Sequence, residues 1–180
     1  MRIACALLGL LAGSAASAQE PFERVRQPAL PGFEQIVREQ RPETSLELWV
    51  PRGQTLARWT RMVTVQRFTG LARRTTPVDY LRAVRRSMRA GCREAQLGAI
   101  SHWALATYPT AQIWVDCPLN PASNQPEITF MRVIAGYADL YVVHVAVRVR
   151  RRDDLEFARR HLAGVMLCGP TSSEAACRNP

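Results

Sequence analysis

Residues 76–92, TPVDYLRAVRRSMRAGC, carry the clearest helix signal in the chain. Thr76 suits the N-cap, Pro77 suits the first helical position, and Asp79 suits the positive N-terminal end of a helix. Gly91 is a suitable terminator. Apolar side chains recur three or four residues apart and therefore share one buried face: Leu81, Val84, Met88 and Cys92. The pattern predicts an amphipathic helix over this stretch.

Upstream of this helix, short alternating segments are typical of strands. We expect a hairpin made of strands 33–38 and 45–50, which are separated by the turn Arg41-Pro42-Glu43. Pro51-Arg52-Gly53 closes the second strand. A clearer strand follows at 61–68 and ends before Gly70.

Downstream, the chain predicts four more strands and a second helix. The strands are expected at 99–106, 111–117, 127–135 and 141–149, and the first two flank a turn at Tyr108-Pro109-Thr110. Asp153 is expected to cap the closing helix, which ends at Cys168. Its inward side chains are Leu155, Ala158, Leu162 and Val165.

This order of elements indicates the α+β class. We expect a single antiparallel sheet of about six to seven strands covered by two helices. The order is similar to that of the PsbP family, exported accessory proteins of the photosynthetic oxygen-evolving complex. The resemblance implies a PsbP-like fold and carries no functional residue across.

A second resemblance rests on local sequence. Residues 49–54, WVPRGQ, and 59–66, WTRMVTVQ, resemble segments of small exported proteobacterial proteins of unknown function. The similarity covers about a fifth of the mature domain. It implies an exported protein and the same fold, and it implies no activity.

The N-terminus has the order of a secretory signal. Arg2 precedes an apolar run at 3–12, and Ala16-Ser17-Ala18 forms a cleavage site. The apolar run is too short to span a bilayer, which disfavours the alternative of a retained anchor. We expect a signal peptide at 1–18, an extended lead-in at 19–31, one α+β domain at 32–168 and a C-terminal tail at 169–180. The mature chain contains no further candidate for a transmembrane segment.

Cysteine usage supports a periplasmic or secreted location. Five cysteines become four once Cys5 leaves with the signal, and an even number in an exported chain indicates disulfides. Three pairings are open. We favour Cys92–Cys117, which would join helix to sheet, and Cys168–Cys177, which would tie down the tail. A metal site is disfavoured because there is no C-x-x-C pair and no histidine at zinc-ligand spacing.

All 24 basic residues are arginine, against 15 acidic residues, and several arginines cluster. On the first helix, a basic stripe recurs at intervals of four, three and four residues, formed by Arg82, Arg86, Arg89 and Arg93. Arg85 lies beside this stripe, and a second cluster begins at Arg148. The candidate anion-binding residues are Arg82, Arg86, Arg89, Arg93, Arg148 and Arg150. They could bind anionic envelope lipid or an acidic protein, and the alternative is a solvated helix face. Nucleic acid is not an expected partner because acids interleave with the arginines and no binding motif occurs.

Catalytic signals are weak. Ser101, His102 and Asp116 have the residue types of a hydrolytic set, but G-x-S-x-G is absent and nothing places them together. No glycine-rich phosphate loop occurs, and we expect no cofactor.

The tryptophans offer a further lead. They could line a pocket for a sugar or lipid, or they could fill the core: Trp49, Trp59, Trp103 and Trp114.

The sequence therefore favours an exported, non-enzymatic accessory or binding protein of the bacterial cell envelope. Two alternatives remain at this stage: a small periplasmic hydrolase with an unfamiliar site, and a structural subunit of an envelope assembly.

Overall fold

The computed structural model describes residues 23–121, 123–148 and 151–170 together with Cys177. The expected signal segment 1–18, the end of the expected strand 141–149 and Arg150 lie outside these residues. The strands within the described part are β1 Arg24–Arg26, β2 Phe33–Gln40, β3 Thr44–Pro51, β4 Arg61–Phe68, β5 Gln96–Leu97, β6 Ser101–Leu105, β7 Tyr108–Asn120, β8 Gln125–Ala135, β9 Leu140–Val147 and β10 Met166–Cys168. The helices are α1 Pro77–Gly91 and α2 Arg152–Ala163, and a single 3₁₀ turn spans Leu71–Arg73.

The strands build one large antiparallel sheet in the order β2-β3-β4-β9-β8-β7, and both β5 and β6 pair with β7 at its edge. This arrangement confirms the predicted α+β class. The sheet has eight strands rather than the expected six to seven, and β1 and β10 form a separate two-stranded ladder. These additional short strands span only two or three residues each. Such segments are too short to show an alternating pattern, so their pairing depends on tertiary contacts.

The two helices cover opposite faces of the sheet. Side chains of residues directly opposite each other in an antiparallel pair share a face. The helix-1 face packs against α1 and carries Ala111, Ile113, Met131, Val133 and Val142. The helix-2 face packs against α2 and carries Phe130, Ile134, Val143, Val145 and Val147. The strongly apolar strands β8 and β9 lie at the centre, where both of their faces are covered.

Helix α1 begins as its residues predict. The Thr76 side chain accepts a hydrogen bond from the Asp79 backbone N–H at 3.1 Å, and Pro77 is the first helical residue. Gly91 is the last helical residue, and Cys92 is the C-cap. The favoured disulfides are confirmed: Cys92 pairs with Cys117, with 6.0 Å between the Cα atoms, and Cys168 pairs with Cys177. The first of these joins the end of α1 to the sheet.

The predicted turn at Tyr108-Pro109-Thr110 is wrong. Tyr108 is already in β7 and pairs with Leu105, so the connection is the two-residue turn Ala106-Thr107. Ala106 adopts a positive φ of 54°, a conformation that alanine seldom takes. The sequence therefore contains no sign of a turn at this position. Pro109 is tolerated because β8 pairs with β7 only from Thr110 onward.

Two expectations at the C-terminal end are also wrong. Asp153 does not cap α2, since the N-cap is Arg151 and Asp153 lies in the first turn. The next residue, Asp154, is buried and forms an ion pair with Arg61 of β4. Cys168 does not end a helix but lies on β10, which pairs with β1. No helix in the described ranges is both long enough and apolar enough to cross a membrane.

Candidate functional site

A cleft of about 490 Å³ lies between α1 and the segment that leads into β6. We refer to it as the helix-1 cleft. Its lining residues are Val78, Arg82, Arg85, Arg86 and Arg89 from α1, and Ala99, Ile100 and His102 from the opposite wall. One wall is therefore basic, and the other is mainly apolar apart from a single imidazole.

Helix periodicity explains the basic wall. Val78, Arg82, Arg85 and Arg89 are spaced by four, three and four residues, so they lie along one side of α1. Leu81 is fully buried on the adjacent side, where it anchors the helix to the sheet. Burial of this apolar side leaves the arginine side at the helix flank.

The opposite wall depends on the register of β6. His102 pairs with Ala111 of β7, whose side chain lies on the helix-1 face. Ile100 packs against the core on the same face. This register brings His102 into the same cleft as the α1 arginines, although 13 residues separate it from Arg89 in the sequence.

The charges in the cleft are only partly compensated. Arg82 donates to Asp79 at 2.8 Å, and the Thr76 hydroxyl also donates to the Asp79 carboxylate at 2.7 Å. These two hydrogen bonds hold the pKa of Asp79 below its usual value, and the bond from Thr76 has the larger effect. Within the described ranges, no carboxylate forms an ion pair with Arg85, Arg86 or Arg89. No acidic side chain of the described part of the chain lines the cleft.

The six candidate anion-binding residues therefore do not form one site. Arg82, Arg86 and Arg89 lie together in the helix-1 cleft, whereas Arg93 is exposed in the turn after α1 and is not one of the lining residues. Arg148 lies directly after β9, in a different pocket. Arg150 lies outside the described residues.

Arg85 was not among the six candidates, although it lines the cleft. The spacing of Val78, Arg82, Arg85 and Arg89 was the signal that could have identified it.

The hydrolytic set is not assembled. Ser101 pairs with Gln112 and His102 with Ala111, so their side chains lie on opposite faces of the sheet. Asp116 pairs with Gln96 and lies on the face opposite to that of His102. The three residues therefore share no site.

The tryptophans do not form a common pocket either. Trp59 is buried on the helix-1 face, and Trp49 is half-buried against the core of the helix-2 face. Trp103 and Trp114 lie on the helix-2 face near the sheet edge, with 37% and 40% of their surface exposed. The core interpretation therefore holds for Trp59 and fails for the two edge residues.

The other two histidines, His144 and His161, have rings that are largely shielded from solvent. Burial lowers the pKa of His144 to about 4, and its Nε2 atom has no hydrogen-bond partner. Burial also lowers the pKa of His161 to about 4, and its Nε2 lies 3.1 Å from Gln27 Oε1. In the part of the chain that the structure describes, no group of three His, Cys, Asp or Glu side chains could hold a metal ion.

Comparison with known proteins places the fold. No family model and no curated protein matches the chain. Among solved structures, the chain is similar to cyanobacterial PsbP (CyanoP) from Synechocystis sp. PCC 6803, with a TM-score of 0.51, 11% identity, and coverage of 86% of this chain and 98% of that one. The Ran-binding protein Mog1p of Saccharomyces cerevisiae aligns with a TM-score of 0.44 and 10% identity, over 88% of this chain and 87% of that one. The chain therefore has a PsbP-like α+β fold, as its element order predicted.

Proposed function

We propose that this protein is an exported, non-enzymatic binding protein of the bacterial cell envelope, and that its helix-1 cleft binds a compact phosphate-bearing group. One observation carries the proposal: Arg85, Arg86 and Arg89 line one cleft without a carboxylate partner in the described residues. Unpaired guanidinium groups that converge on one concavity favour an anionic occupant.

The cleft favours a compact ligand. Its volume of about 490 Å³ is in the size range of small-molecule sites and is small for a folded partner. Guanidinium forks match phosphate oxygens in pairs, which favours phosphate-bearing groups. Ile100 and Val78 add apolar surface next to the charges. A phosphate-bearing lipid headgroup combines these features, with its glycerol and acyl portions beside the apolar wall.

Export is supported by two disulfides, which persist in oxidising compartments. The signal segment 1–18 and the periplasmic or secreted location stay predictions. The PsbP-like fold supports an accessory role by analogy alone.

Binding to lipid vesicles tests the proposal. We expect the disulfide-bonded protein to bind vesicles that contain phosphatidylglycerol and not to bind phosphatidylcholine vesicles. Added salt should weaken the binding. The variant Arg85→Gln/Arg86→Gln/Arg89→Gln should lose most of this binding. A matched variant, Arg24→Gln/Arg52→Gln/Arg160→Gln, removes the same charge from exposed positions that do not line the cleft.

Equal losses in the two triple variants would contradict the proposal, because net charge alone would then explain the binding. Capture of an acidic protein by the same cleft, without vesicle binding, would replace the lipid ligand with a protein partner. A structural subunit would bind its assembly in both triple variants.

A further inference from the structure

A second pocket, of about 540 Å³, lies at the opposite end of the helix-1 face from the start of α1. It is formed by residues 53–60 of the connection between β3 and β4, and by Ser123 and Gln125 near the start of β8. We refer to it as the Arg148 pocket. Its lining residues are Gly53, Gln54, Thr55, Ala57, Arg58, Trp59, Thr60, Ser123, Gln125 and Arg148.

Arg148 is held in one orientation in this pocket. Its guanidinium carbon lies 3.9 Å from the centroid of the Trp59 ring, and its Nη1 donates to the Ala57 carbonyl at 3.1 Å. The backbone N–H of Arg148 donates to Thr60 O at 3.0 Å. Stacking on a buried indole fixes the plane of the guanidinium, so less side-chain entropy is lost when a ligand pairs with it.

The loop around the guanidinium is also ordered by its own hydrogen bonds. Thr55 and Arg58 exchange backbone hydrogen bonds at 3.0 and 3.1 Å, and Gln54 Oε1 accepts from the Thr60 N–H at 2.7 Å. Glu34 accepts from the Gly53 N–H of this loop and is not among the described lining residues of the pocket. The pocket walls are therefore ordered, and among the described residues its lining contains two arginines and no acid.

Two polar atoms of the pocket residues lack partners. Arg148 Nε and Ser123 Oγ are buried and have no hydrogen-bond partner among the residues that the structure describes. A buried donor without a partner costs about 1–3 kcal/mol, so native proteins seldom leave two of them in one place. An acceptor admitted between residues 53–60 and Ser123 would remove this cost for both atoms, after a small local opening, because neither atom is exposed to solvent in the free protein.

We infer that the Arg148 pocket is a second binding site, separate from the helix-1 cleft, for a small oxyanion. A carboxylate or a phosphate has the chemistry required: oxygen acceptors in one plane for the guanidinium fork, and a further lone pair for the serine hydroxyl. The inference does not depend on the function of the helix-1 cleft, because the two sites have no lining residue in common.

Titration followed by NMR tests the inference. Inorganic phosphate and acetate are the two probes, and sodium chloride at equal ionic strength is the blank. The observed signals are the Arg148 side-chain N–H and the Trp59 indole N–H. The protein carries Arg85→Gln/Arg86→Gln/Arg89→Gln throughout, so that the helix-1 cleft contributes no binding.

Saturable shifts of these signals with phosphate alone assign a phosphate site, and shifts with acetate as well assign a general carboxylate and phosphate site. Ser123→Ala should then weaken binding about tenfold, the effect of losing one hydrogen bond to a charged ligand. Its melting temperature should not fall, because the hydroxyl has no partner in the free protein. The control Ser101→Ala, an exposed serine outside the pocket, should bind as the parent does.

Arg148→Lys keeps the charge and loses the planar fork, and it should also weaken binding. Shifts that only follow ionic strength, or affinities that Ser123→Ala and Arg148→Lys leave unchanged, would overturn the inference. In that case Arg148 serves only to hold the loop at residues 53–60.

Discussion

Arg82 donates to the carboxylate of Asp79 at 2.8 Å, which makes it the one arginine of the helix-1 cleft with an acidic partner in the described ranges. The same carboxylate accepts from the Thr76 hydroxyl at the N-cap of α1. Asp79 therefore has two roles: it supports the start of the helix, and it withdraws one positive charge from the cleft.

These two roles predict opposite effects of Asp79→Asn. Loss of the carboxylate frees Arg82, so the affinity of the cleft for pyrophosphate should rise a few-fold at low salt. The melting temperature should fall slightly, because a negative charge at the N-terminus of a helix is stabilising. Titration calorimetry and thermal unfolding measure the two effects.

Asp153→Asn is the matched control, since Asp153 is also an exposed acid in the first turn of a helix. It should lower the melting temperature to a similar extent and leave pyrophosphate binding unchanged. If Asp79→Asn weakened binding instead, Arg82 would need its acidic partner in order to bind, and the electrostatic account of the cleft would fail.

Protein stability should depend on pH through His144 and His161, because burial lowers the pKa of each ring. An unfolded histidine binds a proton near pH 6.5, whereas the pKa of folded His144 and of folded His161 is about 4. The unfolded chain therefore binds more protons between these values, and the free energy of unfolding falls as pH drops from 6.5 towards 4. Each histidine contributes at most about 1.4 kcal/mol per pH unit to this slope.

Urea unfolding at several pH values from about 7 to about 4.5 would measure, for each variant, how the free energy of unfolding changes with pH. His144→Met should flatten it, because the paired residues Thr64 and Met131 carry no charge and Nε2 has no partner to lose. His161→Gln should flatten it independently. A wild-type slope in the double variant would assign the pH dependence to other groups.

Asp139 should be a strong contributor to stability. It is 5% exposed, and it accepts from Arg67 at 2.6 Å and from the Gly70 N–H at 2.8 Å. Asp139→Ala leaves both donors without a partner. Because Arg67 is 40% exposed, we expect a loss of about 2–3 kcal/mol, below the range for fully buried pairs.

The exposed pair between Arg41 and Glu39 provides the comparison. Glu39→Ala should change the free energy of unfolding by less than about 0.5 kcal/mol. Denaturant unfolding of the two variants measures both values, and equal effects would show that Asp139 is not a buried anchor.

The two disulfides should differ in their contributions. Cys92 and Cys117 are 25 residues apart, whereas Cys168 and Cys177 are 9 apart. By loop entropy, replacing the first pair with alanine should cost about 3.5 kcal/mol, and replacing the second pair about 2.5 kcal/mol. Denaturant unfolding of the two double variants checks the order, and a larger loss for the second pair would contradict it.

Local chemistry made much of the fold predictable. The cap at Thr76, the proline at position 77 and the apolar stripe of α1 act within a few residues, so the sequence alone identifies the helix. The hairpin of β2 and β3 is predictable for the same reason, since Arg41-Pro42-Glu43 separates two alternating segments. The pairing of Cys92 with Cys117 is favoured among three open pairings because it would join helix to sheet, although β7 continues beyond Cys117 to Asn120.

Long-range pairing accounts for what the sequence did not reveal. Strands β1 and β10 pair across 140 to 144 positions of the sequence, and neither has an alternating pattern of its own. The helix-1 cleft likewise depends on the register between β6 and β7, which turns His102 towards α1 and Ser101 away from it. A one-residue shift would reverse those directions, and no local signal fixes that register.

The most direct test of the central claim is a titration with pyrophosphate that observes the side-chain N–H signals of Arg85, Arg86 and Arg89. The account predicts saturable shifts of all three signals at one common dissociation constant, and loss of those shifts as salt is added. Shifts spread evenly over arginines of both sheet faces, with no saturation, would contradict a built anion site beside α1.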